Sequence, residues 1–421
     1  MEEQNNINEK LNQCLGCKSK PCKTGCPLDT DITEIIKLIK EEKYKEAYKV
    51  ATTTSVLQSV CGRVCPHQSQ CQGSCIRGIK STPVAIGDIE MFLGDKAIEE
   101  NYEMAELEKI ESGKRVAVVG SGPAGLTCAA FLARSGVDVT IYEKYNTLGG
   151  ILRYGIPEFR LPKDVLDKSI NKIINLGIKV EYGQELGKNL SLENLKKDYD
   201  AVFIAIGANI SWTMGIEGEN LDGVYGGNEL LERSSHPDYT GKTVIVSGGG
   251  NVAMDCARTI KRLGAKSVKV VYRRAEEQMP AEQKEIDDAK LEGVEFLFQN
   301  NIVKIYGDSK VTGIECIKTK LVKKDGDTRL SPVNIEGSNY KIDADYVIMA
   351  IGSTVERNVV DKLNLQLDKY GYIIVDEKYK TSEENVYAGG DLCGTKATVA
   401  WAAKTGRIAA RSIIENMRKR G

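Results

Sequence analysis

The chain has 421 residues and a formal net charge of −1, a balance that favours neither nucleic acid nor an anionic membrane surface as a partner. Its longest apolar runs, such as AVFIAIGA at 201–208, are far too short to cross a bilayer. The length predicts two or three domains, with enough core to fold without covalent staples.

The first ten residues, MEEQNNINEK, are polar and acidic, unlike a signal peptide, so the expected location is the cytoplasm. In that reducing compartment twelve cysteines read as metal ligands rather than disulfides. Eight of them fall between Cys14 and Cys75, and the others (Cys128, Cys256, Cys316 and Cys393) are scattered singly. This asymmetry predicts a separate N-terminal unit.

The first dense stretch is CLGCKSKPCKTGCP, with the pattern Cys14-x2-Cys17-x4-Cys22-x3-Cys26 before Pro27. Zinc sites usually separate two short cysteine pairs by a longer loop. This run is instead similar to that of bacterial ferredoxins, where three close thiolates hold one 4Fe–4S cluster and the fourth, before proline, reaches another. Ligands for a second cluster follow in CGRVCPHQSQCQGSC, as Cys61, Cys65, Cys71 and Cys75. The expectation is two 4Fe–4S clusters, in preference to zinc or to eight buried thiols. His67, between these cysteines, reads as a solvated loop histidine.

The next segment, PVAIGDIEMFLGDKAIEE, reads as a helix with Ile86, Leu93 and Ala97 along one face. Glu90 lies on that stripe, where a carboxylate is costly unless it is paired or binds a metal. Metal ligation and an edge position reaching water are evenly matched on this pattern. The charged stretch ELEKIESGKR then connects to an α/β region of alternating strands and helices.

Residues 115–143 place an apolar strand before Gly120-x-Gly122-x-x-Gly125, then a helix, then a second strand ending in Glu143. The glycines allow a tight turn, close approach to a pyrophosphate and close helix–sheet packing, while the acid accepts ribose hydroxyls. The pattern recurs at 243–274 with Gly248-x-Gly250-x-x-Ala253, but the second strand ends in Tyr272-Arg273-Arg274. Arginine there pairs with the 2′-phosphate of NADP, so NADPH is preferred to NADH. Two such sites in one chain predict FAD in the first and a nicotinamide in the second. AVFIAIGA and YVIMAIGS (346–353) are matching strands expected where the chain passes between two nested domains. In NVYAGGDLCGTKATVAWAAKTGRIAA, Asp391 before a helix suits the flavin ribityl hydroxyls.

With CxxC…CP, GRVCP, GSGPAG, LGGILRYGIPEFRLPK and AGGD in order, the whole chain resembles the small (beta) subunit of NADPH-dependent glutamate synthase. It is similar also to the large subunit of the bifurcating NADH-dependent ferredoxin:NADP oxidoreductase and to the N-terminal half of dihydropyrimidine dehydrogenase. The resemblance implies one cluster on Cys14, Cys17, Cys22 and Cys75. It implies another on Cys26, Cys65, Cys71 and a side chain falling on Glu90, with Cys61 a spare thiol. For FAD it points to Gly120, Gly122, Gly125, Glu143, Gly150, Arg160, Asp391 and Thr398. For the nicotinamide it points to Gly249, Gly250, Asn251, Val252, Arg273 and Arg274, with NADH still open.

The expected architecture is therefore α/β, a helical N-terminal iron–sulfur domain followed by two nested Rossmann-like domains for FAD and NAD(P)H. The expected boundaries are 1–112 for the cluster domain, 113–232 and 352–421 for the two FAD segments, and 233–351 for the NAD(P)H domain. The expected function is an NADPH-dependent FAD and iron–sulfur oxidoreductase, an electron-transfer subunit for a partner redox protein or catalytic subunit. That partner is a glutamate synthase large subunit, a ferredoxin, or a flavin or iron–sulfur subunit. Hydride transfer needs no general base, and neither His67 nor His236 stands in a catalytic constellation. Three alternatives remain: a bifurcating large subunit, a flavin disulfide reductase for which Cys256 lacks a CxxC partner, and a non-enzymatic redox sensor.

Overall fold

A computed structural model describes residues 2–110, 113–323 and 330–420; the expected boundary at residue 112 lies outside them. The chain divides into two compact units, one of residues 1–153, 158–208 and 355–421, the other of 154–157 and 209–354. Among the described residues no helix is long and apolar enough to cross a membrane.

In the first unit a five-stranded parallel sheet has the spatial order Val386–Ala388, Ala201–Ile204, Arg115–Val119, Asp138–Glu143 and Lys179–Tyr182. Val116 to Val119 and Val202 to Ile204 are almost wholly buried, as parallel strands covered on both faces must be. The helix Pro123–Arg134 follows the central strand and packs on the C-terminal helix Val399–Arg420. Their approach is close because Gly406 has no side chain; a Cβ there would sit 2.1 Å from the Ala124 carbonyl oxygen.

The N-terminal helices belong to the same unit. In Ile32–Lys40, isoleucines 32, 35, 36 and 39 are buried at helical spacing, and Asp31 caps the N-terminus by accepting from the Glu34 amide at 3.3 Å. Lys20 reaches the same carboxylate at 2.7 Å, which ties the first cysteine loop to this helix. Gln58–Val64 and Ile86–Glu99 cross in near backbone contact, since Cβ atoms on Gly62 and Gly94 would lie 2.4 Å from the Met91 amide and 2.3 Å from the Ser59 amide. That crossing brings Cys61, Cys65 and Glu90 together.

Two buried arginines join the N-terminal helices to the helices that pack beside the sheet. Arg134 donates to the Thr52 carbonyl at 2.8 Å, and Arg407 to those of Leu28 and Thr54 at 2.7 and 3.1 Å. Arg407→Met strands two carbonyls and is expected to cost roughly 1–3 kcal/mol. Differential scanning calorimetry should show the loss as a thermal midpoint several degrees lower; an unchanged midpoint would mean that the arginine holds nothing together.

The second unit has its own five-stranded parallel sheet, ordered Val224–Gly226, Tyr346–Met349, Thr243–Ser247, Ser267–Tyr272 and Glu295–Phe298. An antiparallel sheet in the same unit is centred on Gly313–Val322. Ile210–Ser211 and Ser353–Thr354 pair antiparallel where the chain enters and leaves.

The two compact units do not follow the expected boundaries residue for residue. Residues 209–232 were expected with the FAD segment, yet Val224–Gly226 pairs in register with Val347–Met349, so these residues belong to the second unit. The cysteine-bearing helices pack in the same compact unit as the first sheet.

Candidate cofactor sites

Cys14, Cys17, Cys22 and Cys75 line one small pocket, backed by Ile32, Ile36, Val84 and Ile86. The thiols stand around this space rather than meeting at a point; among the described residues no three His, Cys, Asp or Glu side chains converge on a single ion. Thiols around an apolar cavity fit a cuboidal iron–sulfur cluster, whose irons each take one thiolate. The Cys22 thiol lies 3.8 Å from the Thr33 hydroxyl, and burial pushes its pKa up.

The second group forms where the two glycine-bearing helices cross. Burial, and then the charge of Glu90, raise the pKa of both Cys26 and Cys71. Cys65 is raised first by its hydrogen bond with Cys61, then by burial, and it too feels Glu90 and Cys71. Glu90 is near enough to Cys26, Cys65 and Cys71 for its charge to raise all three, and desolvation lifts its own pKa to about 8. Glu90 keeps part of its surface exposed, and a carboxylate near these thiols fits a fourth iron ligand. Cys61 is 1% exposed and shares a hydrogen bond with Cys65, so this further thiol is a buried neighbour of the group.

His67 corrects another expectation. Its ring lies against Gly87, where a Cβ would come within 2.6 Å of it, and burial lowers its pKa to about 4. It is a packed residue of the helix crossing, not a solvated one.

At the first glycine finger, Gly120 has φ +100° and packs on the Ala205 carbonyl, with 2.5 Å to a would-be Cβ. Gly122 faces open space, with no protein atom within 4 Å of the Cβ position, as a pyrophosphate cradle requires. Gly150 presses on Gly122, its Cβ position 2.8 Å from the Gly122 Cα. Ser121, missed by sequence reasoning, links these parts: its hydroxyl donates to Glu143 at 2.5 Å and accepts from the Gly149 amide at 2.9 Å. Glu143 is 4% exposed, and burial raises its pKa. Asp391 lies on the turn Gly390–Cys393, accepts from Thr395 at 2.9 Å and is likewise raised by burial. Arg160 is half-buried in the loop before Lys163–Ile174.

Thr398 stands just before the C-terminal helix, its hydroxyl accepting from the Trp401 amide at 3.3 Å. Gln70, between Cys65 and Cys71, donates to that hydroxyl at 3.5 Å. Arg407, one helix face further on, reaches the Leu28 carbonyl two residues past Cys26. Thus the Cys26, Cys65 and Cys71 group lies beside the flavin-side helix, while the Cys14 group opens outward. Gln70 carries no sequence signal of this role, because its partner is 328 residues away.

The second unit repeats the finger. A Cβ on Gly248 would lie 2.1 Å from the Ala350 carbonyl oxygen, matching the Gly120–Ala205 contact. Gly249 rests on the Tyr272 ring, 2.5 Å from a would-be Cβ, whereas Gly250 meets nothing closer than 3.9 Å. Asn251 accepts from the Glu282 amide at 3.0 Å, fixing the segment beyond the finger, and Val252 occupies the helix's first turn. Arg273 is exposed, and the Arg274 Nε is buried without a hydrogen-bond partner. An exposed arginine beside one with an unpartnered Nε fits a phosphate. Cys256 is wholly buried, donates to the Gly227 carbonyl at 3.5 Å and has its pKa raised by burial, the opposite of a reactive thiolate.

Residues 1–102 match the family model described as dihydropyrimidine dehydrogenase domain II, 4Fe-4S cluster, and residues 114–406 match that of pyridine nucleotide-disulphide oxidoreductase. The glutamate synthase [NADPH] small chain of Escherichia coli is 36% identical, over 96% of this chain and 90% of its own length. That of Azospirillum brasilense is 34% identical, over 96% of this chain and 88% of its own. The chain belongs to the glutamate synthase small-chain family. Among solved structures, Mycobacterium tuberculosis FprA in complex with NADPH superposes with a TM-score of 0.64 at 21% identity, covering 73% of this chain and 85% of that one, a likeness of fold. As a family member the chain is an α/β oxidoreductase whose cofactors are FAD, a nicotinamide dinucleotide and 4Fe–4S iron.

Proposed function

We propose that this chain is a cytoplasmic electron-transfer subunit that takes electrons from NADPH and delivers them singly to a separate redox partner. When bound, the nicotinamide supplies a hydride, FAD parts that electron pair, and iron–sulfur clusters carry single electrons. The chain's residues hold and order these groups. Cys14, Cys17, Cys22 and Cys75 hold one cluster, and Cys26, Cys65, Cys71 and Glu90 the other. Gly120, Gly122, Gly125, Gly150, Glu143, Arg160, Asp391 and Thr398 seat FAD. Gly249, Gly250, Asn251 and Val252 seat the nicotinamide dinucleotide, with Arg273 and Arg274 on its 2′-phosphate. The domain reading becomes 1–208 with 355–421 for clusters and flavin, and 209–354 for the nicotinamide.

The supporting observation is the Gln70–Thr398 hydrogen bond, which joins the loop of one thiol group to the start of the flavin-side helix. In the test, protein is titrated anaerobically with NADPH and then with NADH while flavin and cluster absorbance are followed. NADPH should bleach the flavin quickly, with about eight irons per chain. Flavin that neither nucleotide reduces would sink the reading.

The arginine pair has its own test. Replacing Arg273 and Arg274 with serine removes two charge-assisted contacts, each worth about 1.5–3 kcal/mol. The expected loss in kcat/KM for NADPH is about a hundredfold or more, with NADH changed by only about threefold. Equal losses for both nucleotides would show that the arginines do not read the 2′-phosphate.

A further inference from the structure

The glycine finger of the second unit is crossed by a strap. After Arg274 the chain makes a short 3₁₀ turn, Glu276–Gln278, and passes back over the finger before the helix Gln283–Leu291. Three hydrogen bonds hold it there. Tyr272, whose ring supports Gly249, donates through its hydroxyl to the Gln278 carbonyl at 2.7 Å. The Ala281 amide donates to the Gly249 carbonyl at 3.1 Å, and the Glu282 amide to the Asn251 side chain at 3.0 Å. The helix beyond is anchored in turn by Arg258 of the finger helix, which pairs with Glu285, with Asp288 at 3.1 Å and with Glu292 at 2.9 Å. The strap is thus fixed to the finger along its length, and its side chains are held in place before any ligand arrives.

This strap carries an unsatisfied acceptor. The Gln278 Oε1 is buried and has no hydrogen-bond partner among the described residues, and the same holds for the Arg274 Nε four positions earlier. Buried polar atoms are nearly always paired, so an acceptor held in place without a donor points to a donor from outside the chain. The order of residues along the strap says which. Arg274 belongs to the pair assigned above to the 2′-phosphate, and Pro280 borders the open face of Gly250, 3.9 Å from its would-be Cβ. Gln278 stands between these two, at the adenosine part of the dinucleotide. That part has two kinds of donor, the ribose 3′-hydroxyl and the exocyclic amine of adenine. A phosphate beside the 3′-hydroxyl repels a carbonyl oxygen, whereas the amine lies at the far end of the adenosine, away from that charge.

We propose that Gln278 is a specificity residue of the nicotinamide dinucleotide site, its Oε1 accepting a hydrogen bond from the exocyclic amine of adenine. The proposal rests on the reading of the second finger as an NADPH site and adds to it a residue that reads the base. The arginine pair distinguishes nucleotides by the 2′-phosphate; Gln278 distinguishes them by the purine. A site built to accept from a ligand N–H discriminates against an analogue that lacks it, because the buried acceptor is then left unpaired.

The probes are NADP⁺ and its hypoxanthine analogue, in which an oxo group replaces the adenine amine while the 2′-phosphate and pyrophosphate are unchanged. Their binding to the intact holoprotein is measured by isothermal titration calorimetry, and flavin reduction by the two reduced forms is followed anaerobically. The wild type should bind NADP⁺ about tenfold more tightly than the analogue, since the oxo group sets one acceptor against another. Gln278→Leu should bind NADP⁺ about tenfold more weakly and treat the two nucleotides alike within about twofold. With NADPH the loss should fall on KM, leaving kcat within about twofold, because the base is remote from the transferred hydride. Gln278→Met, close in shape to glutamine, repeats the test if the leucine variant unfolds. Equal affinity of the wild type for both nucleotides would overturn the proposal. A preference that survives in both variants would do the same, as would equal weakening of the two nucleotides by Gln278→Leu, which assigns the acceptor to the 3′-hydroxyl. A wild-type flavin reduced by neither nucleotide would instead defeat the electron-transfer reading, an outcome that calorimetry of the oxidised forms cannot mimic.

Discussion

Gly122→Ala should give a folded protein that has lost its flavin. Gly122 has φ −69° and ψ −176°, values that alanine adopts without strain, and its Cβ would meet no protein atom within 4 Å. A methyl there costs the fold little, within about 0.5 kcal/mol. It would nevertheless occupy the space that a pyrophosphate needs at the helix N-terminus. Flavin affinity should fall at least about tenfold, equivalent to ~1.4 kcal/mol. Gly125→Ala provides the contrast, because its Cβ would lie 1.9 Å from the Gly120 carbonyl oxygen and force strand and helix apart. That overpacking costs roughly 1–3 kcal/mol whether or not flavin is present. Flavin content and the unfolding midpoint of the apoprotein, measured side by side, separate the two. A Gly122→Ala protein with full flavin would show that the first finger is not the pyrophosphate cradle.

Glu90→Ala is expected to remove about four of about eight irons while the other cluster remains. Its charge helps to raise the pKa values of Cys26, Cys65 and Cys71. Glu90→Gln keeps an oxygen in place and should retain more iron than the alanine variant. Asp95→Asn is the control on the same helix. Asp95 binds Arg63 at 2.7 Å, so its loss weakens the helix crossing without touching the thiol group. Iron analysis of reconstituted protein decides the matter. Full iron in Glu90→Ala, or equal iron loss in Asp95→Asn, would reduce Glu90 to a buried carboxylate supporting the fold.

The sequence by itself determined the elements whose chemistry is local. A strand, a tight glycine turn and a helix need only about thirty contiguous residues, so both fingers stand at the ends of buried strands as their spacing predicts. Ile86, Leu93 and Ala97 are all buried on one helix for the same reason, because a period of 3.6 is written in neighbouring residues. Cysteine spacing likewise announced iron before any geometry was known.

Only the tertiary structure decided what depends on distant partners. Val224–Gly226 is too short to show a period, and its sheet partner lies at Val347–Met349, so its place in the second compact unit was illegible. His67 looked solvated because Gly87, the residue that makes room for its ring, approaches only when two helices cross. Glu90 comes near Cys26, Cys65 and Cys71 only through that same crossing, which the stripe by itself does not show. The placing of one thiol group beside the flavin-side helix rests on a hydrogen bond between Gln70 and Thr398, residues 328 positions apart. Local periodicity and spacing carry no information across such a separation; only packing brings those residues together.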